Sequence, residues 1–81
     1  MQLDYSPQFL RAYAKAPLQI QKLFDRKAIF LLKNFRHPSL RIKKFSESED
    51  IWQARVTGSW RFYFKISGGI YYLLNISPHP K

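Results

Sequence analysis

The sequence predicts an α+β domain of order β-α-α-β-β-β, with two N-terminal helices packed on one face of an antiparallel sheet. Three observations carry this prediction. Between Leu18 and Phe35 the apolar residues recur at helical spacing. After Asp50 the apolar period changes to two, as in strands with one buried face. The period-two stretches are separated only by Gly58-Ser59 and Ser67-Gly68-Gly69, which are short enough for tight hairpins. The 81 residues leave room for one core, so residues 1–81 are predicted to form a single domain.

Each element has its own signal. Met1–Tyr5 alternates weakly and suits a short strand. Ser6-Pro7 reads as an N-cap followed by proline in the first helical turn, and Phe9, Leu10 and Tyr13, spaced i, i+1, i+4, are consistent with a short helix from about Pro7 to Lys15. Ala16-Pro17 ends it, and Pro17 opens a second helix. In that helix Ile20, Phe24, Ala28, Leu31 and Phe35 form an apolar stripe, widened by Leu23 and Leu32, with Gln21, Lys22, Asp25, Arg26 and Lys33 largely opposite. Arg36-His37-Pro38-Ser39 breaks the helix, because the residue before proline is biased away from the α region. Leu40–Phe45 is basic and irregularly apolar, a candidate short extended segment, and Ser46–Asp50 is a polar turn. Trp52, Ala54 and Val56, then Trp60, Phe62, Phe64 and Ile66, then Ile70, Tyr72, Leu74 and Ile76 mark three strands of an antiparallel meander.

Composition bounds the function. There is no Cys, hence no disulfide framework and no Cys-based zinc site. No apolar run approaches the ~20 residues of a membrane span, and the N-terminus lacks a signal-peptide core, so a soluble cytoplasmic protein is expected. Fourteen Lys and Arg against five Asp and Glu give a net charge of +9. The imbalance is local as well as global: no acid occurs from Ile51 onward or between Lys33 and Lys44. Such a chain favours a polyanion or an acidic partner.

Strand parity sends even-numbered side chains toward the helices. Gln53, Arg55, Arg61, Tyr63, Lys65, Tyr71, Leu73 and Asn75 are then expected on the open face, with His79 on the same side if the alternation continues past Pro78. Cations that hold phosphates and tyrosines that stack on bases suit single-stranded RNA. The two His have no Cys and no Asp or Glu cluster beside them, so neither a metal nor another cofactor is expected. Metal-free RNA cleavage needs a group to take the 2′-OH proton, a donor for the leaving 5′-oxygen and fixed positive charge at the phosphate. Arg61 and Arg55 are candidates for the charge, and His79 for an acid or base. Each also has a structural reading: the arginines as solvated strand residues, His79 as a tail residue, and Tyr63 and Tyr71 as cross-strand partners.

Four stretches follow one another in a recognisable order: His37-Pro-Ser-Leu-Arg-Ile-Lys-Lys-Phe45, Ile51-Trp-Gln-Ala-Arg-Val56, Trp60-Arg-Phe-Tyr-Phe64 and Asn75-Ile-Ser-Pro-His79. With the two helices before them they resemble the RelE/ParE toxin superfamily of bacterial and archaeal toxin–antitoxin systems, over nearly the whole chain. The resemblance implies the same β-α-α-β-β-β fold. It also implies a metal-independent endoribonuclease that cuts mRNA on the ribosome, held inactive by a cognate antitoxin. Carried across, Arg61 would face the scissile phosphate, Arg55 would be a basic neighbour, and His79 would stand where a C-terminal His or Arg transfers a proton or contacts phosphate. Lys43 and Lys44 would add phosphate contacts, as would Lys65, with Tyr63 and Tyr71 available for base stacking. Lys43 stands where some branches place a Glu, and the chain ends two residues after His79. The alternatives are a gyrase-poisoning toxin of the ParE type, which shares the fold without the nuclease residues, and an inert RNA- or protein-binding module.

Overall fold

The computed structural model describes residues 1–79, and its elements follow the predicted order with one addition. Strand β1 (Gln2–Tyr5) leads into helices α1 (Pro7–Lys15) and α2 (Leu18–Lys33). A short 3-10 helix (Pro38–Leu40) follows, then strands β2 (Lys43–Ser46), β3 (Ile51–Arg55), β4 (Trp60–Ser67) and β5 (Ile70–Pro78). The addition is β2, which turns the irregular basic segment into the fifth strand. The sheet order is β1-β5-β4-β3-β2. The meander is antiparallel as expected, but β1 joins β5 in parallel, so the sheet is mixed at that edge.

The helix ends are built from the residues that marked them. Ser6 accepts a hydrogen bond from the Phe9 N–H at 3.0 Å, and its hydroxyl donates to the Leu74 carbonyl at 3.1 Å, so one side chain caps α1 and pins it to β5. Gln21 donates from its amide to the carbonyls of Tyr13 and Ala16, serving the C-terminal end of α1. Helix α2 ends at Lys33 rather than Phe35, because Asn34 is already extended, with φ −158°.

Helix and sheet meet through aromatic rings. Phe9 lies 5.1 Å from Phe24, and Phe24 lies 5.1 Å from Phe62 at 89°, edge to face. Phe9, Phe24, Phe62, Phe64, Leu31, Leu40, Leu73 and Ile76 are fully buried. Each such side chain contributes about 1.5–3 kcal/mol by leaving water.

The register of β5 departs from simple parity. Tyr63 pairs with Asn75, whereas Phe64 pairs with Leu73, so Leu74 is an extra residue in a β-bulge. Before the bulge the odd-numbered residues face the helices, and after it the even-numbered ones do. Tyr71 and Leu73 are therefore buried, at 3% and 0% exposure, and do not lie on the open face. Tyr71 stacks parallel to Phe35 and meets Phe64 edge-on. It is withdrawn from the base-stacking candidates, and Tyr72, paired with Lys65, takes the outward position.

Candidate RNA-binding face

The open face presents a cluster of cations at the end of the sheet where β3 turns into β4. Arg55 pairs directly with Arg61 across that hairpin, and Lys43 pairs with Gln53 one strand further out. Side chains at paired positions share a face. Together with Arg41 these residues line a depression of about 150 Å³. No carboxylate lines it. Among the described residues the ion pair found is Lys44–Asp50, so the four cations stand without a carboxylate partner.

Arg61 is held by the backbone. Its Nη1 donates to the carbonyl of Thr57 at 2.6 Å and to those of Gly58 and Trp60 at 3.2 Å each. Those carbonyls belong to the β3–β4 turn, which the Val56 N–H closes by donating to the Trp60 carbonyl. Fixing one corner of the guanidinium leaves Nε–H and the Nη2 protons for a ligand. That is the fork that matches two phosphate oxygens.

Arg41 reaches the cluster by an unusual backbone. It ends the 3-10 helix in the left-handed region, with φ 47° and ψ 50°. The turn before it is fixed by Leu40, which is fully buried, and by His37, whose Nδ1 accepts from the Ser39 N–H. Lys27 of α2 donates to the Ser39 carbonyl at 3.3 Å. Burial pushes the Lys27 ammonium below its ordinary value, and the charges of Arg55 and Arg26 push it further down. The cluster's positive field thus extends to the helix layer.

His79 is tied to the same end of the sheet. Its N–H donates to the Ser59 carbonyl at 2.6 Å, on the turn that Arg61 braces. Its ring is exposed.

The expected residues divide into three groups. Arg55, Arg61 and Lys43 come together, with His79 anchored on the adjoining turn. Tyr63 and Lys65 lie on the same face but at its other end, beside a second hollow. Lys44 lies elsewhere: it pairs with Trp52 on the helix-covered side, with its ammonium 4.3 Å from that ring and bonded to Asp50. Its placement among the phosphate-binding cations is corrected, because β2 alternates and adjacent lysines point to opposite faces. Sequence reasoning missed Arg41. It belonged to a recognised basic run, but only its left-handed turn directs it into the cluster.

No family model and no curated protein matches the sequence. Solved structures do match. A YoeB/ParE toxin from Agrobacterium tumefaciens superposes with a TM-score of 0.82 at 13% identity, over 99% of this chain and 100% of that one. The YoeB–YefM complex from Staphylococcus aureus gives 0.78 at 12% identity, over 96% and 95%. The RelBE2 toxin–antitoxin complex from Mycobacterium tuberculosis gives 0.75 at 18% identity, over 96% of both chains.

Proposed function

The chain has the fold of the RelE/ParE toxins, and from that premise we propose that it is the toxin of a type II toxin–antitoxin pair, acting as a metal-independent endoribonuclease on mRNA in the ribosome. The observation that carries this reading is the convergence of Arg41, Lys43, Arg55 and Arg61 on one small depression without a carboxylate. Fixed cations of this kind suit a phosphate whose negative charge grows during reaction.

In the proposed reaction the substrate's 2′-OH gives up its proton to a solvent water as it attacks the adjacent phosphorus. The new 2′-O–P bond forms as the P–O5′ bond breaks, giving a 2′,3′-cyclic phosphate and a 5′-hydroxyl. Arg61 stabilises the phosphorane oxygens through its free Nε and Nη2 protons. Arg55, Arg41 and Lys43 hold the flanking charge, and the His79 imidazolium gives its proton to the leaving 5′-oxygen. Among the described residues no group of three or more His, Asp or Glu side chains comes together. In this mechanism Arg and Lys supply the positive charge.

Two of the structural neighbours are complexes with antitoxins, YefM and RelB-type respectively. By extension we propose a cognate antitoxin for this chain, acidic in the segment that covers the cationic face. The ribosome and a cytoplasmic location belong to the same reading. Among the described residues no helix is long and apolar enough to cross a membrane.

The test is Arg61→Ala, with induction in cells and mapping of message ends. Growth arrest with cuts in translated messages is expected for the parent chain. The variant should lose about 10²–10³-fold in cleavage, the scale of losing one preorganised oxyanion donor. Cleavage should persist in EDTA under controls that keep ribosomes intact. Full toxicity of a folded Arg61→Ala protein would refute the assignment. Double-strand DNA breaks with intact messages would transfer it to the gyrase-poison reading.

A further inference from the structure

The open face carries a second concavity that the cleavage chemistry does not use. It is a hollow of about 720 Å³, wide enough for a nucleotide. Its apolar lining is Phe45, Tyr63, Ile51 and Leu74, and Arg11 and Lys65 supply its charge. No carboxylate lines it. One wall is the first part of α1, which Ser6 pins to the bulged stretch of β5.

Phe45 is the residue that asks for an explanation. It is the extra residue of a bulge in β2, where Lys44 pairs with Trp52 and Ser46 with Ile51. Its ring lies on the open face, 58% exposed and 4.9 Å from the Tyr63 ring at 54°. The core gains nothing from a phenyl group in that position. A ring exposed beside a second ring and two cations offers a π-face to a ligand that is flat and anionic.

The hollow continues the cationic cluster along one strand. Arg61, Tyr63 and Lys65 are alternate residues of β4 on one face, and two residues of a strand advance about 7 Å. The order cation, ring, cation matches an extended chain in which phosphate, base and phosphate alternate. Asn75, paired with Tyr63, places an amide donor and acceptor at the edge of the hollow.

We propose that this hollow is a base-stacking subsite for single-stranded RNA. The nucleotide beside the phosphate held at Arg61 lays its base against Phe45 and Tyr63, and Lys65 and Arg11 hold the next phosphate. The inference rests on the nuclease reading above and assigns the part of the substrate that reading leaves open. Recognition then spans more than the cut phosphate, and the strength of stacking sets a preference among bases.

The experiment uses the full chain and a short RNA carrying 2-aminopurine, with a 2′-deoxy nucleotide at the cleavable step so that no cut occurs. Stacking quenches 2-aminopurine, and anisotropy over a salt series gives affinity. The parent chain should bind and quench. Phe45→Ala should weaken binding about tenfold and relieve the quench without changing the salt slope. Phe45→Leu, which keeps apolar bulk without a π-face, should act in the same direction and guards against loss of fold. Lys65→Gln should reduce the salt slope by about 0.7 and leave the quench in place. Unchanged affinity and quench in both folded Phe45 variants would overturn the subsite while leaving cleavage through Arg61 standing. Failure of the parent chain both to bind this RNA and to cut translated messages in cells would overturn both readings. Intact RNA binding with loss of a co-purifying protein partner would give the hollow to a protein segment and overturn the subsite.

Discussion

Lys43 and Lys44 are neighbours in the chain, and the sheet gives them opposite surroundings. Lys43 stands with Arg41, Arg55 and Arg61 around a depression without a carboxylate. Lys44 lies on the Trp52 ring and is bonded to Asp50. The same contrast separates the two faces of the sheet. The covered face is closed by rings, with Phe24 on Phe62 and Phe35 stacked on Tyr71. The open face keeps its polar and charged groups facing outward. An excess of positive charge becomes a site only where the acids are absent, and here the acids sit elsewhere: Asp50 on Lys44, and Asp25 accepting from the Tyr13 hydroxyl.

That contrast can be broken from either side. The largest effect on stability should come from the covered face. Phe62→Ala removes a fully buried ring from the centre of the aromatic cluster, and should cost about 3–5 kcal/mol by urea unfolding. Arg61→Ala should cost no more than about 1 kcal/mol in the same assay, since it gives up bonds to turn carbonyls that water can replace. Comparable losses from the two would mean that the faces do not divide fold from function.

A finer cut compares the adjacent lysines. Lys43→Gln should lower the salt slope of RNA binding by about 0.7, the share of one phosphate contact. Lys44→Gln should leave that slope unchanged and reduce stability by less than about 1 kcal/mol, as expected for a partly exposed ion pair. Equal slopes for the two variants would contradict the alternation of β2.

The smallest effect concerns alkaline pH. Burial raises the Tyr71 phenol above its ordinary 10.0, and Tyr5 and Tyr13 are shifted the same way, also chiefly by burial. The folded protein then holds these protons after the unfolded chain has lost its own. Their contribution to stability is whole below the ordinary phenol value and is lost as pH rises through the folded one. Thermal unfolding followed from neutral pH to beyond 10.0 should show a falling midpoint, and Tyr71→Phe should flatten that fall. A variant as alkali-sensitive as the parent would assign the effect to the other tyrosines.

Much of this division is legible in the sequence, and the exceptions have physical causes. The stripe of α2 places Ile20, Phe24, Ala28 and Leu31 inside because its two sides differ in polarity. In β4 the alternation of Arg61 and Lys65 with Phe62 and Phe64 fixes the register in the same way, and with it the direction of Arg61. In β5 the run Tyr71, Tyr72, Leu73, Leu74 is apolar on both sides, so alternation carries no information about which set faces inward. The bulge at Leu74 decides it through pairing with β4. The parallel union of β1 with β5 joins the two ends of the chain, and no local pattern encodes it. Arg55 and Arg61 were therefore readable as open-face cations, whereas the opposite directions of Lys43 and Lys44 depended on the register of a short irregular strand and Arg41 on a single backbone angle.

That angle has a consequence for how the protein could change. A residue other than glycine in the left-handed region is strained by roughly 1 kcal/mol, and Arg41 carries that strain while its guanidinium sits among like charges. Glycine or asparagine would relax the backbone and remove a repulsive neighbour at once, so substitution toward greater robustness is easy at this position. The same step would dilute the field over the depression. Under the proposed nuclease reading Arg41 is thus a point where backbone stability and the positive field over the depression pull against each other, and its replacement would leave the core undisturbed.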